Sequence, residues 1–76
     1  MPEPGPIGRN VRRLRERQGW SQNELARRSG VSQPFVNQLE SGRSAQAQAS
    51  VLQALARALG VTVDELLREE PPADRM

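Results

Sequence analysis

Gln33, Asn37 and Gln38 place three primary amides within six residues, at i, i+4 and i+5. On a helix that spacing gathers them toward one exposed side. A primary amide carries an acceptor and a donor side by side, which matches the N6–H and N7 of adenine in the major groove. Ser32 stands directly before them as a helix N-cap candidate, and a helix N-terminus favours anions such as phosphate. The side chains at the front of such a helix are Gln33, Pro34, Asn37 and Gln38. Any one of them alone is an ordinary solvated residue. Three amides beside a helix start are the feature that points to a polar, phosphate-bearing partner.

Other chemistries are excluded by composition. The 76 residues include no His and no Cys, so the usual zinc ligands, disulfides and Ser-His-Asp or Cys-His sites are all missing. No glycine-rich phosphate loop occurs. Asp64 and Glu65 fall in the first turn of a helix, where carboxylates suit the dipole. The chain is therefore expected to be no enzyme and to need no cofactor or metal. All eleven basic side chains are Arg, against nine acids. Residues 1–43 hold eight Arg and four acids, a net +4, whereas residues 44–76 hold three Arg and five acids, a net −2. The first part is the one suited to phosphate, although runs of Arg also occur as plain solvated helix faces.

The elements that must position the amides are helices throughout. A domain of this length buries only about 60% of its unfolded surface, so its core is thin. Residues 1–6 and 70–76 read as flexible Pro-containing tails around one domain at 7–69. The N-terminal Met-Pro-Glu-Pro-Gly-Pro has no apolar run, so neither a signal peptide nor a membrane span is expected, and the chain is expected in the cytoplasm. Ile7, Val11 and Leu14 make one stripe of a first helix that Gly19 ends. Ser21 and Glu24 form a capping box for a second helix, with Trp20 and Leu25 as a hydrophobic staple and Gly30 after its end. Ser32 caps a third helix, with Pro34 in its first turn, Val36 and Leu39 inward, and Ser41–Gly42 at its end. A fourth helix carries Leu52, Leu55, Ala56 and Leu59 inward and ends at Gly60. Its start falls between 45 and 50, where Ser50 and Gln53 form a second capping box. Thr62 and Glu65 form a third, opening a short fifth helix with Val61 and Leu66 as its staple.

The segment QNELARRSGVSQPFVNQLES at 22–41, with ALGVTVDELL at 58–67, resembles the helix-turn-helix of the Cro and phage-repressor type, the XRE family. The resemblance spans about residues 7–68. It implies an all-α, compact five-helix lambda-repressor-like fold that binds double-stranded DNA as a transcriptional regulator, a repressor rather than an activator. In that geometry the second helix of the motif enters the major groove N-terminal end first, with Gln33, Pro34, Asn37 and Gln38 toward the bases. Likeness to the family implies phosphate or sugar contacts from Gln22, Ser32, Arg43 and Ser44. Phe35 either touches a sugar or thymine methyl or covers the thin core. Arg15 and Glu40 look like a family ion pair joining helices 1 and 3. The family solution to reading a long site is a homodimer, with Val61, Val63 and Leu67 as the candidate interface; the same residues could instead cap the monomer's core. No small-molecule effector is implied. The rival reading is a helix-turn-helix used for protein interaction, as in antitoxins or coactivators. The AQAQA stretch at 45–49 lacks the Pro often found there, and Ser29 stands where an apolar residue is usual.

Overall fold

The computed structural model describes residues 5–69. Five helices follow in order: α1 Pro6–Gln18, α2 Gln22–Ser29, α3 Gln33–Ser41, α4 Ala49–Leu59 and α5 Val63–Leu67. Among the described residues there is no strand. The outer parts of the two expected tails, residues 1–4 and 70–76, lie outside the described residues. Pro6 begins α1 one residue earlier than the apolar stripe requires, because proline fits a first helical position whose N–H has no partner in any case.

The capping residues legible in the sequence close three of the five helices. Ser21 accepts from the Glu24 amide, Ser32 from the Phe35 amide, and Thr62 exchanges both bonds of a capping box with Glu65. The Ser50–Gln53 box does not form. The helix begins at Ala49 after an extended Gln48, whose side chain makes no cap bond. The loop before it dictates this start. Ser44 ties its amide to the Gln38 carbonyl at 3.1 Å and its hydroxyl to the Gln46 carbonyl at 3.1 Å. Ala47 packs half-buried on the core, so the chain has already turned when it reaches Gln48, and Ser50 lies inside the helix.

The core collects Ile7, Val11 and Leu14 from α1, Leu25 from α2, Val36 and Leu39 from α3, four residues of α4 and Leu66 of α5. α3 packs on α1 and α2, α4 on α2, and α5 closes the far side against α1 and α4. Two polar residues, Asn10 and Glu40, are buried with them. Asn10 is fully buried, and its amide nitrogen donates to the Leu66 and Arg68 carbonyls at 2.8 Å each. Those carbonyls belong to the end of α5, where backbone acceptors lack helical partners, so Asn10 supplies what the helix cannot. Its oxygen accepts from Arg13 at 3.0 Å.

Candidate nucleic-acid interface

α2 and α3 meet across a turn that two residues shape. Gly30 takes φ +79°, and its amide closes on the Ala26 carbonyl at 2.8 Å. Ser29, the residue whose polarity departs from the usual pattern, accepts from the Val31 amide at 3.1 Å through its hydroxyl. An apolar side chain there could not make this bond, so the departure adds a tie within the turn.

Behind the turn, α1 holds α3 through a fork. Arg15 donates from Nε to Glu40 Oε2 and from Nη2 to Glu40 Oε1, both at 2.8 Å. Its third nitrogen reaches the Trp20 carbonyl at 2.7 Å. The two side chains are only 12% and 4% exposed, so this is a partly buried, bidentate pair rather than a screened surface contact. The bond to Glu40 raises the Arg15 pKa above its ordinary value, against the opposing effect of burial.

From Glu40 the hydrogen bonds continue outward. Gln22 donates to Glu40 Oε1 at 3.1 Å, and its own oxygen accepts from Gln33 at 2.8 Å and Asn37 at 3.3 Å. Gln22, Gln33 and Asn37 thus converge, although they are up to fifteen residues apart. Gln38 and Pro34 are exposed on α3, and the Gln38 side chain has no partner among the described residues. The amides therefore divide into two bonded through Gln22 and one free.

The residues read as phosphate or sugar contacts sit differently from one another. Arg43 is exposed and has no carboxylate partner among the described residues. The Ser32 hydroxyl is the cap of α3, and the donors of Ser44 go to the Gln38 carbonyl of α3 and the Gln46 carbonyl of the loop. Phe35 packs half-buried against the core, along a groove shared with Val31, Ala47 and Val51. Its ring turns toward that groove because Val36 and Leu39 fix the rotation of α3.

The arginines of the first part are divided: Arg12 lines a cleft with Gln22, Asn37 and Ser41, and others are paired or lie elsewhere. Arg12 pairs with Glu16, and Arg27 and Arg28 both pair with Glu24. Those two arginines hold the Glu24 carboxyl below its ordinary pKa. Arg28 also lies over the Trp20 ring, 4.4 Å from its centroid. Arg13 and Arg17 line a cleft with Glu65 and Arg68 on the α1–α5 side. Val61 and Val63 are half-buried against the core, whereas Leu67 is 47% exposed.

Asn10 and the joining role of Gln22 were missed by sequence reasoning. Asn10 lies one turn from both Ile7 and Leu14, on the inward stripe of α1, and that placement was the available signal.

The helix-turn-helix family model matches residues 11–66. The competence pilus inhibition repressor of Acinetobacter baylyi is 42% identical over 60 residues, covering 79% of this chain and 54% of that protein. The chain thus spans about half the length of that relative. The HTH-type transcriptional regulator y4dJ of Sinorhizobium fredii is 43% identical over 61 residues, 80% of this chain and 78% of that protein. Among solved structures, the master regulator for biofilm formation SinR in complex with DNA is similar with a TM-score of 0.79 and 27% identity, over 82% of this chain and 98% of that one. No helix among the described residues is long and apolar enough to cross a membrane.

Proposed function

The chain belongs to the helix-turn-helix family, in its Cro and phage-repressor (XRE) type, and from that premise we propose that it binds double-stranded DNA in the major groove and regulates transcription, as a repressor. The observation that carries this reading is the outer side of α3, where Gln33, Pro34, Asn37 and Gln38 lie together at the front of a capped helix. In this reading Gln33, Asn37 and Gln38 contact base edges. In the same reading Gln22, Ser32 and Arg43 contact the DNA backbone and set the register, whereas Ser44 uses both its donors to hold the loop. A relative named as a repressor and a similar structure holding DNA support the same role. That role requires no cofactor, metal or bond-breaking step, and in a bacterium it is performed in the cytoplasm.

One such helix reads only a few base pairs, so the working unit proposed is a homodimer on half-sites about 34 Å apart. Leu67, which is exposed, with the half-buried Val61 and Val63, is the surface offered for that contact.

Fluorescence anisotropy against random duplexes, and then against duplexes enriched by selection, tests the reading. Binding should weaken steeply with salt on both, with the enriched site about 10³-fold tighter or more. Sedimentation of the complex should give two proteins per site and a two-fold symmetric footprint. Negligible duplex binding at low salt would favour a protein-interaction module instead.

A further inference from the structure

Two arginines of α1, Arg13 and Arg17, meet no carboxylate among the described residues, whereas Arg9, Arg12 and Arg15 of the same helix each meet one. They stand one turn apart, a spacing at which like charges repel. The helix dipole favours Arg17, in the last turn of α1, but not Arg13 nearer its middle. Arg68, just past α5, adds a third guanidinium. The three line one cleft of about 180 Å³ between α1 and α5, with Leu14 and Val61 as its apolar wall. Arg13 is fixed there. Its Nη2 donates at 3.0 Å to the oxygen of buried Asn10, whose nitrogen is bonded to the Leu66 and Arg68 carbonyls. The one acid in the lining, Glu65, already accepts through Oε1 from the Thr62 amide and hydroxyl. Arg68 meets Asp64 only at 3.6 Å, with both side chains exposed. Three arginines against one carboxylate leave the lining with a net charge of +2.

We propose that this cleft is a binding site for a small phosphate monoester, held by Arg13, Arg17 and Arg68. Such a group carries about −1.5 to −2 at neutral pH and three acceptor oxygens, which matches both the charge of the lining and the donor forks of three guanidiniums. A single carboxylate answers only half of that charge. The cleft is smaller than the roughly 300–1,000 Å³ of sites that enclose drug-sized ligands, so it suits a phosphoryl head on a short body rather than a nucleotide. Leu14 and Val61 are the surface against which that body rests. The site is separate from the DNA-reading amides, because it lies where α1 meets α5, whereas α3 packs on α1 and α2. An occupant ties the end of α5 to α1 and leaves the outer side of α3 free.

NMR titration of the isotope-labelled chain with glycerol phosphate, at constant ionic strength set by chloride, tests this. The shifts should saturate at one site and fall on the backbone amides and Nε–H groups of Arg13, Arg17 and Arg68. Arg13→Gln and Arg17→Gln should each weaken binding about tenfold or more, and acetate should bind the wild type about tenfold more weakly than glycerol phosphate. Arg57→Gln removes an exposed arginine of α4 that also meets no carboxylate among the described residues, and it should change nothing. Gln at position 13 keeps a donor for Asn10, and Arg17 is exposed, so both variants should fold. Shifts centred on Ser32 and Arg43 would place the anion at the DNA-facing end of the molecule and overturn the proposal. So would a response that never saturates and survives Arg17→Gln, which is a diffuse ion atmosphere. Acetate binding as tightly as glycerol phosphate overturns the choice of a dianion. A loss of duplex affinity in Arg17→Gln as large as that in Arg43→Ala would assign the cleft to the DNA backbone instead.

Discussion

α1 holds the rest of the molecule by two latches that differ in kind. Arg15 reaches the Glu40 side chain of α3, and Asn10 reaches the Leu66 and Arg68 backbone carbonyls of α5. Both are shielded, and both join residues far apart in sequence. The Asn10 latch ends where it lands, because a carbonyl already in the backbone passes no orientation onward. The Arg15 latch lands on a carboxylate with acceptor capacity left, and Gln22, Gln33 and Asn37 build on it. A neutral clamp to backbone stabilises one helix end; a charged clamp to a side chain also imposes direction on whatever bonds to it next.

The comparison can be broken at its charged side first. Glu40→Ala should cost about 3–5 kcal/mol of stability, since Arg15 is left partly buried without its partner. Arg15→Ala should cost a similar amount, and the double variant less than the sum of the two. Thermal melts of the three proteins measure this, and strict additivity would count against the latch.

The neutral side should yield less and yield it elsewhere. Asn10→Ala leaves the two α5 carbonyls and Arg13 without their partner, at a cost of about 1–3 kcal/mol. Amide hydrogen exchange should accelerate in α5 while the α2–α3 turn stays protected. Base preference in a selection experiment should not move; a shift there would mean that the two latches are coupled.

A third pair of variants asks how far the charged latch extends. Gln38 lies outside those hydrogen bonds, so Gln38→Ala should lose about 1–3 kcal/mol at the preferred site without altering the preference at the Gln33 position. Arg43→Ala should weaken all duplexes alike and flatten the slope of log K against log salt by about 0.9. Titrations at several salt concentrations separate the two behaviours.

The smallest effect belongs to a half-buried surface carboxylate outside both latches. Arg27 and Arg28 depress the Glu24 pKa, so any stabilisation from it is full above the unfolded carboxylate range of about 4.3 and disappears as pH falls through the lower folded value. Wild type and Glu24→Gln should differ slightly in Tm at pH 7 and converge in acid. A gap that widens in acid would contradict the sign.

Local signals and tertiary ones were unequally legible. Ser21, Ser32 and Thr62 announce their helices because a cap is a contact within three residues, and the glycines after the first four helices mark their ends in the same local way. The resemblance over about residues 7–68 put the amides on α3 and gave the Arg15–Glu40 pair that forms. The start of α4 was ambiguous because Ala and Gln suit a helix as well as a loop, and Ser44 and Ala47 decide it through contacts made only on folding. Gln22 read as a backbone contact alone, since nothing in its own neighbourhood shows that Gln33, Asn37 and Glu40 will surround it. The half-by-half charge balance does not show which face carries the charge, for a related reason. Arg27 and Arg28 are answered by Glu24 one turn away, and Arg13 faces α5.

Trp20 is the only tryptophan, and the chain has no tyrosine. It lies beneath Arg28, and its carbonyl is held by the same guanidinium that grips Glu40. Its indole emission therefore comes from one place, the junction between α1 and α2, and the native protein carries its own optical probe there. Excited at the red edge of indole absorption, where nucleic acid is transparent, it can follow in real time whether DNA binding disturbs the junction that orients the amides, with no label attached.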